Sequence, residues 1–518
     1  MKWFRKGLIG VHRYLGIALS LLFVVWFISG IGMMFAGGMP RLSLQERLQR
    51  ESTIDLAQIK LSPAEADLAA NGGIGGEADF GTGRVSIRSL LDRPIYRVGG
   101  RLVFADNGQV LDGIDEVMAK EIVSRFMHVP TDGMQYTLLT ERDQWTLTGG
   151  ELPLHKITLS DGTQLYVSTE TGEVVQKTTR GSRALAWVAA IPHWFYFTAL
   201  RENQSLWYQI VCWTAGIGCV LALAGVALSF TQLKIRRPFH LLKISSYIPY
   251  AGWMRWHYIA GSIFGILTFT WVFSGLLSME PFGWLTGPTL EGNLRAALKG
   301  GPEDATEFPA IDAEVWKRLT SNRQVKEIDY TQIQGDPYFV VRTSPALVDD
   351  SRDRPHQPYY SQSGVDPTRA LIHAKTMKAR LEPFSAESLM SRVRETWPDV
   401  RVVESSMLTQ YDSYYYSRDG QRPLPVLRVK FDDPVQTWIY IDATMSQQVA
   451  AIHRLDRFER WIYNGLHSLD FSFWYYNTPV WFTAVILLSL GGTAVSILGT
   501  YLGFARMGRG AKRALGSH

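Results

Sequence analysis

Eleven histidines are spread over the 518 residues of the chain, and four of them recur at fixed intervals. His12 and His257 form one recurring set, and His193 and His467 form the other. A neutral imidazole is a good axial ligand for haem iron, and small changes in surroundings keep it neutral near physiological pH. Gly16 and Gly261 each lie one turn beyond His12 and His257 on the same helix face. A glycine there leaves room for a flat macrocycle. Arg13 and Arg255 adjoin these histidines and are expected either to reach lipid headgroups or to pair with haem propionates. The residues therefore point to ligation of haem iron by His12, His257, His193 and His467. Two haems would make an electron relay. One haem with two bystander histidines is the alternative. A single histidine at a helix end is ordinarily an interfacial polar residue, so recurrence is what separates these four from the rest. His128, His155, His240, His356, His373, His453 and His518 have no histidine counterpart.

Four long uncharged blocks must position these ligands: residues 14–36, 205–233, 256–279 and 471–505. Each exceeds the roughly 20 apolar residues needed to cross a bilayer core. The first is longer than the roughly 7–15 apolar residues of a secretory signal, so it is expected to remain as a span. Lys2, Arg5, Lys6 and Arg13 flank the first span; Lys234, Arg236, Arg237, Lys243 and Arg255 lie between the second and third; Arg506, Arg509, Lys512 and Arg513 follow the fourth. None of these flanks carries an acid, which predicts that all three are cytoplasmic. The two long polar segments then face the periplasm of a bacterium.

Sliding the chain against itself exposes a repeat. At an offset of 245, His12, Gly16, Trp26, Ser29 and Gly30 fall on His257, Gly261, Trp271, Ser274 and Gly275. At 274, Tyr166, Arg180, Arg183, Trp187, His193, Phe197, Trp207, Gly218 and Gly225 fall on Tyr440, Arg454, Arg457, Trp461, His467, Phe471, Trp481, Gly492 and Gly499. The expected fold is a membrane protein: a four-helix transmembrane bundle built from two tandem helix–domain–helix repeats with two α+β outer domains. Residues 156–176 and 426–450 read as strands joined by turns, and 114–127 and 386–396 as helices. Stretches 71–83 and 345–365 read as loops. The run YDSYYY at 411–416 reads as a strand or domain surface, and Trp26 and Trp271 as interface anchors.

The mean hydropathy of −0.03 averages over this segregation. Net charge is +5, but the excess sits beside the apolar blocks and not on a basic arm, so nucleic acid is not an expected partner. Cys212 and Cys219 lie in one block about 10 Å apart by helical rise, too far to bridge. No Gly-rich fingerprint for a dinucleotide follows a strand. A transporter ranks last, because the four blocks contain no Asp or Glu.

VHRYLG at 11–16, WHYIAG at 256–261, IPHWFYF at 191–197 and GLHSLDF at 465–471 resemble the PepSY-associated transmembrane family. The run YVSTETGEVV at 166–175 is similar to the end of a PepSY repeat; its second copy, YIDATMSQQV at 440–449, lacks the Gly and Glu. The resemblance covers most of the chain and includes inner-membrane reductases of iron siderophores that hold haem b. It implies His12, His257, His193 and His467 as haem ligands, two PepSY-like domains, and a periplasmic ferric siderophore or similar chelate as acceptor. The electron donor is expected in the cytoplasm or membrane. The expected division is span one at 8–36, outer domain one at 37–183, an interfacial segment with span two at 184–233, and a cytoplasmic loop at 234–252. Span three follows at 253–280, outer domain two at 281–457, an interfacial segment with span four at 458–505, and a cytoplasmic tail at 506–518. A membrane-anchored PepSY-type binding or regulatory module without redox activity is the competing reading.

Overall fold

The computed structural model describes residues 2–71, 85–147, 151–233, 247–283, 285, 290–321, 323–344, 368–417, 422–471, 473 and 478–515. The expected loops at 72–83 and 345–365, and Lys234, Arg236, Arg237 and Lys243, lie outside the described residues. Two compact units are present. One comprises Met1–Met39, Gly181–Thr286 and Leu455–His518; the other comprises Pro40–Arg180 and Gly287–Arg454.

The first unit is helical. Its long helices are α1 (Lys2–Ala36), α3 (Gln204–Thr231), α4 (Gly252–Leu277) and α5 (Thr478–Leu515), with the short α2 (Ala190–Trp194) before α3. All four long helices are long and apolar enough to cross a membrane. They pack as a ring in which α1 touches α3 and α5, and α4 touches the same two, so α1 and α4 stand on one diagonal. Glycines admit aromatic rings across these contacts: Gly218 meets Phe23, and Gly492 meets Phe27. The fourth span differs from expectation. It runs from Thr478 to Leu515 rather than from 471 to 505. Leu469 adopts φ 51°, which ends the preceding segment, and Pro479 suits a first helical turn. At the other end Arg506, Arg509 and Lys512 continue the helix, as good helix formers.

The second unit is β-rich. Its strands are β1 (Val85–Leu90), β2 (Arg93–Val98), β3 (Arg101–Phe104), β4 (Val110–Leu111), β5 (Gln135–Leu139), β6 (Leu154–Thr158), β7 (Gln164–Ser168), β8 (Val174–Thr178), β9 (Val325–Ile333), β10 (Asp336–Thr343), β11 (Arg369–His373), β12 (Lys378–Arg380), β13 (Val402–Leu408), β14 (Val426–Phe431), β15 (Trp438–Asp442) and β16 (Gln447–Ile452). Strands β5–β8 and β13–β16 form two four-stranded sheets. The two polar segments also share a third sheet, in the order β12-β11-β10-β9-β1-β2-β3-β4. Strands β1 and β9 pair antiparallel at its centre, Ile87 opposite Ile328. The expected pair of outer domains is therefore one compact unit: each half keeps one four-stranded sheet of its own, and the two halves share the eight-stranded one. The helix Glu116–Met127 begins at an Asp115 cap and buries Ala119, Ile122, Val123 and Phe126, a single stripe. The helix Ala386–Thr396 is capped by Ser385 in the same way. The YDSYYY run is a turn rather than a strand: Asp412 accepts the Tyr414 and Tyr415 amides, and Tyr415 is buried against Tyr440.

Charge is buried where β1 meets β9. Arg47 reaches Glu51 at 2.9 Å, Glu173 at 2.9 Å and Glu327 at 3.2 Å. Glu327 stands opposite Arg88 on the ladder and is itself buried. Removing one partner from such a group strands the others, at a cost of about 3–5 kcal/mol. Arg47→Ala is expected to lower the denaturant midpoint of the β-rich unit by that order. Lys317→Ala, which loses the exposed pair with Glu314, is expected to leave it unchanged. Equal midpoints for the two variants would remove the role assigned to the buried charges.

Candidate haem-ligating site

His12 on α1 and His257 on α4 face each other across the diagonal of the bundle, ring centres 6.1 Å apart. They line a cavity of about 420 Å³ that draws on all four long helices. Gly16 and Gly261 also line it. A Cβ at Gly261 would meet nothing within 4 Å, and one at Gly16 only Leu221 Cδ1 at 3.8 Å, so both glycines open the wall. Arg13 is in the lining; Arg255 is not, while Arg506 and Arg509 of α5 are. Sequence reading placed those two only in a cytoplasmic tail, because nothing in the spacing told that α5 continues far enough to bring them to the cavity.

The second pair lies further along the bundle. His193 comes from α2 and His467 from the π-helical segment Arg460–His467, with ring centres 6.3 Å apart. His193 meets Ser29, seventeen residues beyond His12 on α1, a rise of roughly 26 Å. The two pairs are thus separated by most of a bilayer core, which is about 30 Å thick.

One local device holds the rings. His12 Nδ1 donates to the Leu221 carbonyl at 3.2 Å. That carbonyl also receives the helical amide of Gly225, four residues on. A Cβ at Gly225 would stand 2.8 Å from His12 Cε1, so a bare position is what lets the imidazole reach the carbonyl. His467 Nδ1 donates to the Trp271 carbonyl at 3.0 Å, and the residue four on is Gly275, whose Cβ would lie 3.3 Å from His467 Cε1. His193 Nδ1 lies 3.1 Å from Ser29 Oγ beside the Trp26 carbonyl, with Gly30 four residues on. Ser29 Oγ donates to that same carbonyl, so it accepts from His193. At His257 the corresponding carbonyl is Val495 and the glycine is Gly499. There the contact falls short of hydrogen-bond geometry, and Nδ1 is buried without a partner.

A carbonyl cannot donate, so Nδ1 of His12 and His467 carries the proton and Nε2 keeps its lone pair. The serine contact sets His193 the same way. This is the tautomer a metal requires, fixed from the outer nitrogen. Burial reinforces it at the second pair: it pushes His193 down to about 4, with His467 adding to the effect, and it lowers His467 too. Two imidazoles on opposite sides of one metal, with bonds of roughly 2 Å and about 1.1 Å from nitrogen to ring centre, have centres about 6 Å apart. Both observed separations fit that arrangement. Among the described residues no group of three or more His, Cys, Asp or Glu gathers, so a metal at either pair would have two histidines as its candidate protein ligands. The cavity at His12 and His257 is within the roughly 300–1,000 Å³ typical of cofactor pockets. Trp26 and Trp271 differ from the expected interface anchors: their indole nitrogens are buried. Trp26 packs on Phe23 and Phe195, and Trp271 on Phe27.

The family model for the PepSY-associated TM region matches residues 9–506. No curated protein matches the chain.

The glycine device can be tested at the closest contact. Gly225→Ala is expected to displace His12, cost roughly 1–3 kcal/mol as an overpacked core does, and lower haem retention at the first pair. Gly216→Ala, where a Cβ meets nothing within 4 Å, is expected to be neutral. The checks are the thermal midpoint and the haem-to-protein ratio of detergent-purified protein; equal ratios in the two variants would show that the close approach does not matter.

Proposed function

We propose that this chain, which belongs to the PepSY-associated transmembrane family, is an inner-membrane haem b protein that passes electrons across the membrane to a periplasmic acceptor. The observation that carries the reading is the double pairing of histidines at 6.1 and 6.3 Å near opposite ends of one apolar bundle. His12 with His257, and His193 with His467, would hold two haems. Bound in this way, haem iron supplies one-electron oxidation and reduction. The chain's own work is to hold the imidazoles in facing pairs and, at His12, His193 and His467, to keep the proton on Nδ1 through the outer hydrogen bond. Arg13, Arg506 and Arg509 place positive charge in the wall of the first cavity, where propionates need it.

Orientation follows from the flanking cations: both termini and the 234–252 loop are assigned to the cytoplasm and the β-rich unit to the periplasm. The two halves are read as tandem copies. The acceptor class is a ferric siderophore or other ferric chelate. Reduction to ferrous iron weakens its hold by hard oxygen ligands and would release the metal. The electron donor is a cytoplasmic or membrane component. These assignments rest on the family resemblance and on the siting of the second histidine pair toward the end of α1 that leads into the β-rich chain.

Absorption spectra of the detergent-purified protein, oxidised and dithionite-reduced, test the reading. Two low-spin b-type haems per chain are expected. His12→Ala or His257→Ala is expected to remove one, and His193→Ala or His467→Ala the other. Protein free of haem from cells that supply it would instead support an anchored PepSY-type binding module.

A further inference from the structure

The two members of the second pair are held alike up to a point. Trp207 Nε1 donates to the Trp194 carbonyl at 2.8 Å just beyond His193, and Trp481 Nε1 to the Ser468 carbonyl at 2.9 Å just beyond His467. Phe195 and Leu469, two residues after each histidine, both adopt left-handed φ, 54° and 51°. Each ring sits on a serine and a glycine of the facing long helix.

They then diverge. On the His467 side Arg460 Nη2 donates to the Asp470 carbonyl at 2.9 Å and lies 3.3 Å from Asp470 Oδ1. Both side chains are almost wholly buried, 10% and 7% exposed. The pair joins the first residue of the π-helical segment to the chain beyond its end, with His467 between. Asp470 N also returns to the Asn464 carbonyl at 3.0 Å, and the Tyr463 ring stacks on His467 with centres 5.2 Å apart. At the offset of 274, Arg460, Tyr463 and Asp470 correspond to Ala186, Ala189 and Tyr196. Ala186 and Ala189 can make neither the ion pair nor the stack, and Tyr196 instead packs on Trp194 and Trp207 beneath the Arg201 guanidinium. His193 instead ends a five-residue α-helix.

A π-turn is uncommon, and it persists only where its surroundings hold it. A buried ion pair contributes little net stability against an apolar pair of similar shape, yet it fixes geometry and is costly to break singly. We propose that Arg460 and Asp470 are positioning residues that clamp the π-helical segment and aim His467, so that the two ligands of the second haem are held by different devices and only His467 depends on a buried ion pair. The inference rests on the haem reading for its spectroscopic consequence but not for its structural one.

The test is Asp470→Asn in the full-length protein, read two ways. Hydrogen exchange of the apoprotein should speed up at least tenfold over residues 460–470 and stay unchanged over 189–196. In haem-loaded protein, one haem should gain high-spin character while the other keeps its low-spin spectrum. Arg460→Lys, which keeps a donor and the charge, should show both changes to a smaller degree. If Asp470→Asn does not fold, Arg460→Lys alone should show a smaller exchange increase confined to 460–470. Exchange unchanged in that segment, or raised equally in both, would overturn the clamp. A haem-free wild-type protein would sink the electron-transfer reading but leave the exchange result to decide this one.

Discussion

A polar ring nitrogen inside an apolar bundle needs a partner, and the partners at hand are carbonyls already engaged in helical ladders and the Ser29 and Ser274 hydroxyls that lie beside two of them. Everything about the two histidine pairs depends on how that demand is met. In a helix the acceptor at position i is covered by the side chain at i+4. A glycine at i+4 uncovers it. Leu221 with Gly225, Val495 with Gly499, Trp26 with Gly30 and Trp271 with Gly275 use this arrangement for His12, His257, His193 and His467 in turn. The glycine does two things at once: it frees the acceptor and lets the ring approach the helix closely. Where the bond is made, at His12, His193 and His467, it fixes which nitrogen carries the proton and leaves the other with its lone pair.

The four placements are equal in kind and unequal in detail. The His257 contact is looser than that of His12, and the His467 segment is braced by a buried ion pair where that of His193 is braced by stacked aromatic rings and Arg201. Arg13 enters the first cavity from α1, whereas its near counterpart Arg255 does not, and α5 supplies Arg506 and Arg509 instead. The two sites thus differ in the charges that line them and in the contacts that hold their rings.

The β-rich unit solves a separate problem. Its halves are divided in sequence by α3 and α4, yet they complete one eight-stranded sheet through β1 and β9. The seam carries Arg47, Glu51, Arg88 and Glu327 as well as Ile87 and Ile328. Buried charges that need each other's geometry disfavour slipped registers, in which a single carboxylate would be stranded.

The sequence by itself determined the four spans, the four histidines, Gly16 and Gly261, and, in the β-rich unit, the strands within 156–176 and 426–450 and the helices at 114–127 and 386–396. Those follow from local causes: runs of apolar residues, alternation of two, caps such as Asp115 and Ser385, and recurrence at 245 and 274. It also displayed Gly30, Gly225, Gly275 and Gly499 as recurring positions without saying what they faced, because a glycine's role is set by the residue that approaches it. Only the tertiary structure decided that β1 and β9 join, since strand pairing across more than 200 residues leaves no local trace. The same holds for Arg506 and Arg509 at the cavity and for Tyr415 in a core. Which histidine faces which was likewise decided by the ring order of the helices, which puts α1 and α4 on one diagonal and so brings His12 to His257.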